Sequence, residues 1–216
     1  MKIGEDIKPM DFVQGAIEGI VSQIPCIGAF AQAVECVKGN ILQRRYIKWK
    51  ELVEERLVTL EEDARKNLGD NDSFATTLLK ATELAAQTNT IKSVYLANAV
   101  KYAASYQIDE DSLILMLNDI GKYTTSHFKV LVYLQNPAKY KTGVYFTGSI
   151  MTYFEATYPD FERNREELIL NDLYRDGLVN TNSDSMVSSS GMESKRTTDL
   201  GDLFIAFFGI KKEDYE

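Results

Sequence analysis

The sequence predicts a mainly α protein: an N-terminal helical hairpin and bundle, then a C-terminal module of different character. Three observations predict it. Apolar side chains recur at three- and four-residue intervals through residues 42–135, the period of one helix face, and no apolar–polar alternation accompanies them. Proline occurs only four times (Pro9, Pro25, Pro137 and Pro159), so little interrupts helix formation. After Pro137 the composition shifts: aromatic residues crowd positions 140–161, and a Ser-, Asn- and Gly-rich stretch covers 180–195. With 216 residues, 44% hydrophobic and 26% charged, the chain can bury a core in one large domain or two small ones. The expected division is a helical module over 1–108 and a second module over 109–216.

The N-terminal segment 10–37 is the most apolar. No charge occurs from Gly19 to Val34, and Pro25 and Gly28 interrupt the run. It therefore predicts two short apolar helices hinged near Ile24 and Gly28. The run is shorter than the roughly 20 residues a bilayer core needs. Three readings stay open for it. It is a buried hairpin, a membrane-active hairpin, or a partner-binding surface presenting Phe12, Ile20, Ile24, Ile27 and Phe30. Gly15 and Gly19 form one GxxxG, which marks close helix packing as readily as a membrane dimer.

Residues 42–68 predict one long helix. Tyr46, Trp49, Val53, Leu57, Leu60, Ala64 and Leu68 form a single stripe, and its 11-residue period excludes a left-handed coiled coil along it. The other faces are charged, basic around Arg44–Lys50 and acidic around Glu51–Glu55, opposite to what the helix dipole favours. They read as a solvated face. Turn residues around Gly69 and Asp70 stop this helix. Ser73 is the expected cap of the next helix, with Phe74, Leu78, Ala81 and Ala85 as its apolar edge. A third helix follows over 90–107. Asp109 caps a fourth, whose buried side is Leu113, Met116, Leu117 and Ile120. A fifth covers 124–135 and ends at Asn136-Pro137. Beyond Pro159, an amphipathic helix runs to Asp176 through Phe161, Leu168, Ile169 and Leu173. Gly177 supplies the left-handed residue after it. Segment 180–195 has little to bury and predicts a mobile loop. Residues 198–209 close the chain as a short apolar helix.

The order helix, helix, "LNDLYRDGLV", polar loop, "RTTDLG", helix resembles the winged-helix domains of bacterial regulators. In that resemblance the helix from Pro159 to Asp176 is the recognition helix. Leu178 and Val179 begin the wing, 183–194 form its tip, and Lys195-Arg196-Thr197 return. The resemblance implies Arg163, Arg165, Arg175, Lys195 and Arg196 as contact residues. The charge argues against the usual ligand of such a domain. The formal net charge is −8, and the recognition helix sets Glu162, Glu166, Glu167, Asp172 and Asp176 against its three arginines. Phosphate is repelled, so a protein contact is expected there in place of DNA. In layout the whole chain also resembles helical bacterial proteins of unassigned function that are associated with abortive infection and phage defence. No catalytic residue comes with that resemblance.

Enzyme signatures are missing. His127 is the sole histidine and has no nucleophile motif beside it, so it reads as a surface or helix-capping residue. No P-loop, HExxH or GxGxxG occurs, and no metal or cofactor site is expected. The acidic "DEDS" at Asp109 lacks EF-hand spacing. Cys26 and Cys36 form no CxxC and read as buried thiols of a reducing compartment. The first residues lack a basic stretch running into an apolar core, so a cytoplasmic protein is expected. The expected function is a non-catalytic protein–protein interaction or assembly role, in a bacterial defence or stress system. The alternatives are a DNA-binding regulator and a membrane-active effector that uses the apolar hairpin.

Overall fold

The computed structural model describes residues 41–215 apart from 62, 65–67, 89, 141–147, 160, 162, 184, 188–190 and 192. The apolar hairpin lies outside these residues, and with it Phe12, Ile20, Ile24, Ile27, Phe30, Cys26 and Cys36. The described chain is mainly α. Its eight α-helices are α1 (Ile41–Val58), α2 (Asp72–Gln87), α3 (Thr90–Ser105), α4 (Glu110–Lys122), α5 (Thr125–Gln135), α6 (Ile150–Thr157), α7 (Arg163–Arg175) and α8 (Asp199–Phe208). Two units are distinguished, Met1–Leu117 and Asn118–Glu216, and the division falls inside α4. None of the described helices is long and apolar enough to cross a membrane.

In the first unit α1 packs on α2 and α3, which pack closely on each other. The alanines permit that approach: Ala81, Ala85, Ala97, Ala99 and Ala103 are all essentially inaccessible. The predicted stripe of α1 is the buried one, through Trp49, Val53 and Leu57. Polar bonds fix its placement. Trp49 Nε1 donates to Thr82 Oγ1 (3.1 Å), whose hydroxyl donates on to Leu78 O (2.6 Å), and Arg56 Nε donates to Asn98 Oδ1 (2.8 Å). The buried indole N–H is thereby satisfied.

Two expectations for this unit need correction. The long helix over 42–68 stops at Val58. Thr59 N–H and Thr59 Oγ1 both bond back to Arg56 O, and Leu60 N–H bonds to Leu57 O, so the last turn tightens and closes. The apolar stripe nevertheless stays buried at Leu60 and Leu68. The cap of α2 is Asn71, whose Oδ1 accepts from Phe74 N–H (2.9 Å). Ser73 Oγ instead donates to Ile108 O (3.3 Å). Asp109 does cap α4 as expected, with Oδ1 accepting from Ser112 N–H at 2.9 Å.

The second unit is built on α5, whose Phe128, Leu131, Tyr133 and Leu134 are buried. Helices α7 and α8 pack against it, and α6 packs on α7. Aromatic rings join these layers. Phe204 lies 5.9 Å from Tyr123 and 6.4 Å from Phe128, and Phe154 meets Tyr133 edge-on at 5.2 Å. The β structure among the described residues is small. Strand β1 (Gly148–Ser149) pairs antiparallel with β2 (Met186–Val187), and Val179 bridges Thr197.

Helix α7 begins at Arg163, later than the expected start at Pro159. Its end is as expected. Gly177 adopts φ 75°, Leu178 N–H reaches back to Leu173 O (2.9 Å) and Gly177 N–H to Tyr174 O (3.1 Å), the paired bonds of a Schellman cap. The chain then forms a closed neck. Asn180 N–H donates to Arg196 O and Thr198 N–H to Leu178 O, while Thr198 Oγ1 donates to Gly177 O (2.6 Å) and caps α8 by accepting from Gly201 N–H. A side chain at Gly201 would put its Cβ 2.1 Å from Leu178 O. The described residues of segment 180–195 include several that are held in place, against the composition's expectation of a mobile loop. Thr181 is buried, Ser183 bonds Asn171, and Met186 and Val187 pair with β1.

The neck predicts a contrast between two glycines. Gly201→Ala should destabilise the fold by about 1–3 kcal/mol or more, because a backbone carbonyl must move. Gly177→Ala, with nothing within 4 Å, should cost only the left-handed backbone strain of about 1 kcal/mol. Chemical denaturation of both variants beside wild type measures the difference.

Candidate interaction surface

Helix α7 is held by one face and displayed by the other. Glu166, Ile169, Leu170 and Leu173 point inward and are buried. Arg165, Leu168, Asn171 and Arg175 follow at spacings of three, three and four on the exposed side, with Tyr174 flanking them. Leu168 is a correction to the sequence reading. It was expected on the apolar side, yet it is 62% exposed, and Leu170 takes the inner place. Tyr174 is 48% exposed. Met186, at 69%, belongs to the segment that Ser183 anchors to Asn171 Oδ1 through its N–H (3.3 Å) and its hydroxyl (3.2 Å).

Three of the expected contact residues, Arg175, Lys195 and Arg196, have structural partners. Arg175 Nη1 meets Asp172 Oδ1 at 3.0 Å, and its Nε meets Asp176 Oδ1 at 3.3 Å. Lys195 Nζ donates to Asp202 Oδ2, and Thr197 Oγ1 donates to Asp202 Oδ1 (2.6 Å). Burial opposes ionisation of Asp202, but these two bonds outweigh it and hold its carboxyl below the usual range. Arg196 is half-buried. Its Nη2 donates to Gly191 O and its backbone N–H to Leu134 O (2.8 Å). Arg165 is exposed on the displayed face, and Arg163 is the first residue of α7. The structure therefore gathers Arg165 and Arg175 on α7 and commits Lys195 and Arg196 to the neck.

Behind this face lies a network that sequence reasoning missed. Asp176 Oδ2 accepts from Tyr123 Oη (2.7 Å) and meets Lys122 Nζ (2.8 Å), which also meets Asp119 Oδ1 (2.8 Å). Burial disfavours the charged form of Asp176, yet the bonds from Lys122, Tyr123 and Arg175 prevail and lower its pKa. Asp119 goes the other way, raised chiefly by burial. The Tyr123 hydroxyl is pushed far up by burial and by its bond to the Asp176 carboxylate, so it remains a donor. The spacing signals were present: Asp119 and Lys122, and Asp172 and Arg175, are i,i+3 pairs, and Asp172 and Asp176 share a helix face.

His127 is buried and caps α5, the capping half of its expected role. Its Nδ1 accepts from Thr124 N–H (3.0 Å) and lies 2.9 Å from Thr124 Oγ1. The neutral ring then carries its proton on Nε2, facing Asp172 Oδ2 at 3.4 Å. Tyr123 stacks on the ring at 4.7 Å. Among the described residues no group of three or more His, Cys, Asp or Glu could hold a metal ion. In the first unit a cleft of about 330 Å³ opens beside Thr59, Leu60, Lys101 and Tyr106, with Lys101 and Glu61 as its charged groups.

The opposite shifts of the two aspartates predict opposite pH behaviour. The lowered pKa of Asp176 gives stability that is present above about pH 3.9 and lost as pH falls through its folded value. Asp176→Asn should cost about 2 kcal/mol at neutral pH, and the deficit should shrink in acid. Asp119 keeps its proton longer in the fold, so its contribution is present in acid and declines as pH rises through its raised value. Asp119→Asn should be close to neutral at neutral pH. Urea titrations of both variants across the acid range check the signs.

Comparison of the chain with protein-family models, with curated proteins and with solved structures finds no match.

Proposed function

We propose that the chain is a non-catalytic protein–protein interaction protein, and that its second unit is a winged-helix-like module turned toward protein contact. The winged-helix reading is supported by the order α5, β1, α6, α7, neck, excursion and α8, and by the antiparallel bridge at Val179 and Thr197. The observation that carries the functional reading is the outward face of α7. A helix that reads DNA presents unpaired donors to base edges and cations to phosphates. This face presents Leu168 and Tyr174, with Met186 exposed on the segment anchored to it, and its Arg175 is held by Asp172 and Asp176. Exposed aliphatic and aromatic side chains beside an arginine are the composition of protein contact cores. The resemblance in layout extends the reading to a bacterial defence or stress system.

Site-specific photocrosslinking tests it. A photoreactive residue at Leu168 should give a discrete protein adduct in cells, and the same residue at exposed Asp199 should not. The purified chain should show no salt-sensitive retention of mixed DNA at about 50 mM salt. A nucleic-acid adduct at Leu168, or DNA binding that weakens steeply with salt, would overturn the proposal in favour of a regulator.

A further inference from the structure

The side of α1 away from its buried stripe carries a second pattern. Ile41, Arg44, Lys48, Glu51, Glu55 and Val58 are all exposed. Their spacing is three, four, three, four, three, the 3.5-residue period of a helix pair and not the 11-residue period of the buried side. Along the helix they read apolar, plus, plus, minus, minus, apolar. The sequence is antisymmetric in charge about the midpoint between Trp49 and Lys50.

Alone, this arrangement is mixed: Lys48 and Glu51 are opposite charges at i,i+3, but each end of the stripe carries a like pair. Arg44 and Lys48 are like charges at i,i+4, and so are Glu51 and Glu55. Arg44 in the first turn and Glu55 in the last also oppose the helix dipole. Within the chain, Glu55 has Arg56 beside it at 2.8 Å and Lys50 reaches Glu54 at 3.7 Å, both off the stripe's own sequence of pairs. A second copy laid antiparallel about that midpoint resolves the conflict. Ile41 then meets Val58 of the other copy, Arg44 meets Glu55, and Lys48 meets Glu51, each contact occurring twice by the two-fold symmetry. A parallel pair would instead set Arg44 on Arg44 and Glu51 on Glu51. The antiparallel pair also opposes the two helix dipoles.

We infer that α1 is a self-association helix, forming an antiparallel two-fold dimer whose register is set by the Arg44–Glu55 and Lys48–Glu51 pairs. The helix is about 27 Å long, so the interface is small, and its ion pairs are open to solvent. The dimer is accordingly weak and weakens further with salt. This inference is independent of the docking face on α7, which lies in the other unit.

Sedimentation equilibrium of the full chain at low salt tests it. Wild type should dimerise. Lys48→Glu and Glu51→Lys should each weaken self-association about tenfold or more, since each sets like charges opposite one another. Mixed in equal amounts, the two variants should pair with each other about as well as wild type does with itself. The double variant Lys48→Glu/Glu51→Lys should also recover. Circular dichroism verifies that these surface changes leave the fold intact. A monomeric wild type overturns the proposal, as do single variants that dimerise like wild type or that fail to pair when mixed. None of these results bears on crosslinking at Leu168.

Discussion

In residues 118–216 the structure turns on the backbone carbonyl of Leu178. It accepts Thr198 N–H, and it occupies the space where any side chain at residue 201 would begin. The same residue's N–H closes the end of α7 on Leu173 O, so one residue both terminates one helix and seats the next. Gly177 makes this possible by taking a left-handed conformation that aims Leu178 back across the helix end. Thr198 completes the joint, donating to Gly177 O and accepting from Gly201 N–H. The excursion from Asn180 to Lys195 is thus closed at its base by bonds that do not depend on its own composition. That explains why so polar a segment can be carried there, since closing a loop from fixed ends costs little more as its length grows.

The charges near α7 illustrate a difference between counting and placement. Counted over residues 162–176, five acids stand against three bases, but within α7 itself Glu166, Glu167 and Asp172 only balance Arg163, Arg165 and Arg175. The acids nevertheless serve another purpose. Asp172 faces Arg175 and His127, and Asp176 faces Arg175, Lys122 and Tyr123. These contacts tie α7 to the chain around α4 and α5. Of the arginines that a regulator would extend toward DNA, Arg175 is the one that these carboxylates hold. What the outer face retains is chiefly Leu168, Asn171 and Tyr174, which suits desolvation against another protein.

Much of the fold was readable in the sequence, and the failures have physical causes. The period of Trp49, Val53 and Leu57 identified the buried side of α1, because burial depends on angle around the helix and not on where the helix ends. Its end was missed because Thr59 returns its hydroxyl and N–H to Arg56 O, an option open to any threonine in a helix and visible only in the bonds. The cap of α2 was misplaced because Asn71 and Ser73 are both competent, and the choice was made by Ile108 O, which engages the serine. Leu168 was misassigned for a similar reason. Ile169, Leu170 and Leu173 already define the inward arc of α7, and a fourth large residue 100° away has nowhere inward to go. Gly177 and the Arg196–Gly201 stretch were readable because positive φ and close backbone approach demand particular residues.

The two exposed helix faces differ in what they need from a partner. On α7 Arg175 is paired with Asp172 and Asp176 within the unit and Leu168 and Tyr174 are left to solvent, so a partner there contributes by removing water from those two side chains. On α1 the large apolar groups are buried except at the stripe's ends and its flank, and the exposed stripe keeps a like-charged pair at each end, Arg44 with Lys48 and Glu51 with Glu55. A partner there contributes opposite charge in a fixed order, which specifies orientation and register more than it supplies affinity. Self-recognition suits the second case. An arrangement that is antisymmetric about its midpoint is complementary to itself when reversed, and a two-fold axis supplies that reversal. The face of α7 has no such internal antisymmetry: Arg165, Leu168, Asn171 and Arg175 read the same sign at both ends. Reversal would set arginine on arginine, so that face is suited to a different protein and not to its own copy.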